Sequence, residues 1–267
     1  MAVAAVVIAG MTAGVTIVLA ACSSGASDGV PIEELATTTS PPATAAPTTE
    51  AAPSDDDATA SDDVPAPVLE TVEEVLGGQA AISRPVGDDG SSPPVDDDHV
   101  FVLGDSIAES AGPEIYDTID AQLEALGWTP TIDARAGRTT PEGLEVLERR
   151  RDDVHDVVIV LLGHNDAIDP ETYRDRLETM VAELADVPLV LLLTNYEFER
   201  GRDRMNDELR LVDALHDNVQ LVDWDAVAKA TDGAIGPDGL HLTRLGAQAL
   251  AATMAMSLGP APVQAGP

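Results

Sequence analysis

Beginning at His99, short apolar runs rich in β-branched residues alternate with segments whose apolar residues recur at helical spacing, and few folds accept that alternation. The runs are residues 100–103, 157–162, 189–193 and 219–222, with a weaker one at 131–134. Ile115, Ile119, Leu123 and Leu126 share one helical face, Leu177, Met180, Val181 and Leu184 a second, and Leu209, Val212 and Leu215 a third. Leu245, Leu250 and Met254 repeat the spacing near the C-terminus. Strands joined by helices form βαβ units, so they lie parallel in one sheet with helices on both faces. The prediction is an α/β domain over residues 99–259: a three-layer αβα sandwich with a five-stranded parallel sheet. Such sheets bind ligands beyond the carboxyl ends of their strands, so the loops after each run hold the candidate chemistry.

Four of those loops stand out. Gly104-Asp105-Ser106 follows the first run, Ala136-Gly137-Arg138 the weak one, and Gly163-His164-Asn165-Asp166 the run at 157–162. Asp238-Gly239-Leu240-His241 precedes the last helical segment. Ser106 reads two ways, as the cap of a following helix or as a nucleophile served by a base and an oxyanion site elsewhere. Asp238, three residues before His241, can reach one of its ring nitrogens. His164 is a rival base beside Asn165. His99, His155 and His216 lie at strand edges or helix ends without metal-ligand spacing, so neither a metal nor a cofactor is expected.

These four stretches, in this order, resemble the blocks of the SGNH/GDSL hydrolase family. The resemblance implies that family's flavodoxin-like fold and a serine esterase working through an acyl-enzyme, with Ser106, His241 and Asp238 as the catalytic residues. It further implies an oxyanion hole built from the backbone N–H groups of Ser106 and Gly137 and the side-chain amide of Asn165. Asp105, Arg138, His164 and Asn195 are then the substrate-pocket candidates, with Asp105 expected to hold its loop. Two positions depart from the pattern: Ile107 replaces a common leucine, and Arg135 stands where an asparagine often precedes the glycine by two, which removes polar support from that side chain.

The N-terminal part is of another kind. Residues 2–21 are uncharged and apolar and run into Leu19-Ala20-Ala21-Cys22. That stretch resembles the lipobox of bacterial lipoproteins, which implies a lipoprotein signal over residues 1–22, cleaved before Cys22, and lipidation of Cys22, the only cysteine, as the new first residue. An uncleaved membrane anchor is the alternative. Either reading places the rest outside the cytoplasmic membrane, tethered to it. Residues 23–98, rich in Ala, Thr, Pro and Asp with 17 acidic residues against one basic, read as a disordered acidic linker. Within it Val68, Leu69, Val72, Val75 and Leu76 form an apolar helical face that could dock on the domain, on a partner or on nothing. Residues 260–267 read as a disordered tail. The net charge of −34 excludes nucleic acid and anionic surfaces as partners.

Fold and triad do not choose a substrate. An exported, tethered chain lies beside cell-envelope polymers, polar residues such as Thr139, Thr140, Tyr196 and Glu197 suit a sugar, and no greasy lid segment invites a fatty chain. The expected substrate is a small acyl ester or acylated glycan. The stretch at 238–243 also looks like SGNH domains attached to membrane acyltransferases, which makes O-acetyl transfer onto a cell-wall glycan, with a membrane acyltransferase as partner, the alternative to hydrolysis. A catalytically idle glycan-binding protein is the alternative outside enzymes.

Overall fold

The computed structural model describes residues 63–77 and 94–263, all within one compact unit, Asp57–Pro267. The chain runs α1 (Ala66–Leu76), β1 (His99–Gly104), α2 (Ser106–Ala111), α3 (Thr118–Ala125), β2 (Thr129–Ala134), α4 (Thr140–Arg149) and β3 (Val157–Leu161). It continues through α5 (Pro170–Glu183), β4 (Leu189–Leu193), α6 (Arg202–Leu215), β5 (Val219–Val222), α7 (Trp224–Ala230) and α8 (Arg244–Leu258). The strands are all parallel, in the order β2-β1-β3-β4-β5. Chain direction across the sheet reverses beside β1, so a crevice opens between the carboxyl ends of β1 and β3.

Position in the sheet explains the strength of each apolar run. β3 and β4 are central, covered on both faces, and buried at every residue. β2, the weak run, is an edge strand, partly exposed and tolerant of Pro130, whose missing N–H a central ladder would need. The pleat sorts side chains onto two cores. Val100, Val102, Ile159 and Leu191 pack with α1, α2, α3, α7 and α8, whereas Phe101, Leu103, Val158 and Leu192 pack with α4, α5 and α6. A slip of one residue would exchange these sets, so burial holds the register Val102↔Ile159 and Ile159↔Leu191.

Two helical faces are shorter than their spacing predicts. Ile115 lies in the loop before α3 and is 53% exposed, and Leu215, the last residue of α6, is 68% exposed. Helices α4 and α7 are not among the segments marked by apolar spacing. Their caps mark them instead: Thr139 and Glu142 form a capping box, and the Asp223 carboxylate accepts from the Ala226 N–H.

The larger correction concerns residues 23–98. Within the expected disordered linker, α1 docks on α8 and α7, burying Val68 and Val72 to 4% and 0% exposure. Burying one such valine contributes about 1.5–3 kcal/mol toward ordering this three-turn helix, which has Pro67 in its first turn and left-handed Gly77 at its end. Residues 94–98 also belong to the folded body, since the Asp156 carboxylate accepts the N–H groups of Asp96 and Asp97. At the other end Ala261 N–H donates to the Leu126 carbonyl, inside the expected tail. Residues 1–62, 78–93 and 264–267, including the apolar segment and Cys22, lie outside the described residues. Among the described residues no helix is long and apolar enough to cross a membrane.

Candidate active site

Steric demands at the end of β1 set the position of Ser106. A Cβ on Gly104 would stand 2.2 Å from the Ala108 Cβ, so only glycine lets α2 fold back over the strand end. Asp105 caps that helix, its Oδ1 accepting from the Ile107 N–H at 3.0 Å. Ser106 follows as the first residue of α2, with 9% of its surface accessible. Asp105 is therefore the cap, and the serine hydroxyl is not consumed in that role.

The neighbouring loops supply amide groups. After β2 the chain turns at Gly137, whose φ of +75° is left-handed and unfavourable for a side chain. Asn165, after β3, is exposed, and its Nδ2 donates to the Arg138 carbonyl at 3.1 Å, tying the third loop to the second. Asp166 does the same from the inside: it is 2% exposed, and its Oδ2 accepts from both the N–H and the hydroxyl of Thr140 at 2.9 Å. Arg176 donates to the other carboxylate oxygen at 2.6 Å. The loops after β1, β2 and β3 thus form one hydrogen-bonded ridge.

The histidine arrives from the far end of the chain. The α8 helix ends at Gly259, whose carbonyl accepts from Trp128 Nε1 just before β2 begins. It therefore runs antiparallel to the strands, and the His241 loop before its first turn lies at their carboxyl ends, with Ser106. Asp238 Oδ2 and His241 Nδ1 are 2.7 Å apart, while Asp238 Oδ1 accepts the N–H groups of Leu240 and His241, each at 3.0 Å. The Leu240 N–H, with help from His241, holds the Asp238 carboxyl below its usual range against the opposing effect of burial. A carboxylate on Nδ1 keeps the proton there and leaves Nε2 as the acceptor. The loop is pinned by an Ile235–Leu242 bridge and by the Gly236 N–H on the His241 carbonyl at 2.7 Å. Among the described residues no hydrogen bond joins His241 to Ser106 Oγ.

All four expected pocket residues are buried, and each supports a loop. Asp105 and His164 are 0% and 4% exposed, with Asp105 Oδ2 and His164 Nδ1 3.0 Å apart. His164 Nε2 accepts the Tyr196 N–H at 3.1 Å, so both ring nitrogens are engaged, and the rival base has no lone pair to offer a serine. Arg138 is 4% exposed, donating to the Gly104 carbonyl at 3.0 Å and to the Asp133 carboxylate. Burial alone would raise Asp133, but hydrogen bonds from Arg150 and Arg138 hold it below its ordinary value. Asn195 is 0% exposed and exchanges hydrogen bonds with Asn206. Polar side chains beside a site read as substrate contacts in one dimension; here the loops themselves need them.

Residues 102–249 match the model of the GDSL-like lipase/acylhydrolase family. YrhL of Bacillus subtilis (strain 168), named as a peptidoglycan O-acetyltransferase, is 25% identical over 161 residues, which are 60% of this chain and 23% of that protein. The chain thus spans under a quarter of the length of this relative. A structure from Slackia heliotrinireducens, named as an SGNH hydrolase, superposes with a TM-score of 0.52 at 18% identity, covering 61% of this chain and 100% of the other. The C-terminal catalytic domain of Streptococcus pneumoniae peptidoglycan O-acetyltransferase A gives 0.49 at 23% identity, over 61% and 93% of the two chains.

Proposed function

This chain belongs to the GDSL-like lipase/acylhydrolase family, and on that premise we propose that it is an extracytoplasmic serine esterase removing acetyl or other short acyl groups from a cell-envelope glycan. The observation that carries the reading is the Asp238–His241 pair, joined at 2.7 Å at the sheet end where Ser106 stands. In the proposed reaction Ser106 Oγ attacks the ester carbonyl carbon as His241 Nε2 takes its proton. The carbonyl oxygen becomes an oxyanion, received by the N–H groups of Ser106 and Gly137 and the Asn165 amide, each such donor being worth about 10²–10³ in rate. Collapse expels the sugar oxygen, which takes the proton from His241 and leaves the acyl group on Ser106. Water, deprotonated by His241, then releases the acid and restores the serine.

A glycan hydroxyl in place of that water gives transfer. This second reading is favoured by the likeness to YrhL, named for peptidoglycan O-acetylation. Lipidation at Cys22 or an anchor over residues 2–21, and a membrane acyltransferase partner, remain part of the proposal. The test is turnover of a chromogenic acetate ester by the full chain beside Ser106→Ala. The variant should lose activity by at least about 10³-fold, and equal rates would overturn the esterase reading. With acetylated glycan as donor and unacetylated glycan as acceptor, free acetate marks hydrolysis and newly acetylated acceptor marks transfer.

A further inference from the structure

At the opposite end of the sheet, where β1 and β3 begin, the structure assembles a cluster whose sequence spacing gives no sign of it. Asp97 leads into β1, His99 opens it, and His155 precedes β3, its neighbour in the sheet. The Asp97 carboxylate spans both imidazoles, with Oδ1 2.6 Å from His99 Nδ1 and Oδ2 3.2 Å from His155 Nδ1. Asp98 adds an oxygen 3.1 Å from His99 Nδ1. The two rings stack with centroids 4.5 Å apart, and one ligand atom from each of Asp97, His99 and His155 lies within 4.8 Å of the others.

We propose that Asp97, His99 and His155 form a binding site for a zinc-type transition-metal dication, with Asp98 as fourth ligand, which ties the segment leading into β1 to the segment leading into β3. The ligand set decides the class of ion: two imidazoles with carboxylates suit zinc, cobalt or nickel, whereas calcium and magnesium want oxygen alone. The backbone is already fixed. Asp156 Oδ2 receives the N–H groups of Asp96 and Asp97 at 2.8 and 2.9 Å, and the register Val100↔Val157 fixes the two approaches side by side.

The side chains, by contrast, can adjust. Asp97, His99 and His155 are 36%, 44% and 37% exposed, so an ion can reach them and the rings can turn. Bonds of about 2.0–2.1 Å in a tetrahedron put ligand atoms about 3.4 Å apart, so the 2.6 Å contact must open by under an ångström and the rings must leave their stack. Each neutral imidazole then carries its proton on Nε2 and gives Nδ1 to the metal. The surroundings favour a cation: Asp96, Asp97, Asp156 and Asp186 line an adjoining cavity of about 480 Å³, where Arg151 pairs with Asp186.

The test is thermal melting of the untagged full chain after EDTA treatment, with and without ZnCl₂, beside His155→Ala and His155→Gln. Zinc at a hundredfold above its Kd should raise Tm by about 5–10 °C in the native chain. Neither variant should respond, and MgCl₂ should not substitute. Cobalt(II) should give the visible bands of a four-coordinate ion, abolished by zinc, and these decide the matter if both variants fail to fold. Absence of a zinc response in the native chain, or an equal response in a folded variant, would overturn the proposal.

Discussion

Gly246→Ala separates the packing described above from ordinary helix propensity, because the two give opposite signs. Alanine in a helix is normally better than glycine by about 1 kcal/mol. Gly246, however, lies in the first turn of α8, where a Cβ would be 2.0 Å from the Ala234 carbonyl oxygen and 2.8 Å from its carbon. That oxygen also accepts the N–H of Thr243 at 3.0 Å and its hydroxyl at 3.2 Å, so the seam joins α8 to the Asp238–His241 loop. An ordinary C···O contact is about 3.3 Å, so backbone must move against backbone by more than an ångström. Overpacking of this kind costs about 1–3 kcal/mol, which cancels or exceeds the propensity gain. The effect on rate is larger, since a displacement of about 1 Å in a reacting group costs on the order of 10²-fold. Denaturation in urea and kcat/KM on a chromogenic acetate ester should therefore diverge: a modest fall in the midpoint and a severe loss of activity. A variant more stable than the native chain and fully active would refute the reasoning.

Other expectations follow from individual contacts. His164→Gln should lower stability by about 3 kcal/mol in urea denaturation, because Asp105 is left with a buried, unpaired carboxylate oxygen. Val72→Ala should cost about 2 kcal/mol by the same measure if α1 is part of the core, and nothing measurable if it is a solvated linker. For Asp238, whose folded carboxyl lies below the ordinary 3.8, the contribution to loop stability is complete above that value and lost as pH falls through the depressed one. Asp238→Asn should thus be less stable than the native chain at neutral pH. The difference should close in strong acid, and kcat at neutral pH should fall by about 10²–10⁴-fold without a matching change in KM.

What the sequence determined by itself is local and repetitive. Alternation of short apolar runs with helical spacing dictates a parallel sheet, because each central strand must be apolar on both faces, and β3 and β4 are buried throughout. The weakness of residues 131–134 finds its reason only in the sheet order, which puts β2 at an edge. The four loop motifs marked the sheet end to which the proposed chemistry is assigned, since open parallel sheets present the carboxyl ends of their strands. Tertiary structure decided which polar residues hold the scaffold. Asp105 and His164 are 59 positions apart, and nothing in either segment says that they hydrogen-bond to each other in the interior. The same holds for Asp97 and His155, 58 positions apart, and for α1, whose apolar face is meaningless until α8 offers it a surface. Periodicity is a property of neighbours in the chain; burial of a carboxylate or docking of an amphipathic helix depends on partners that only the fold brings within reach.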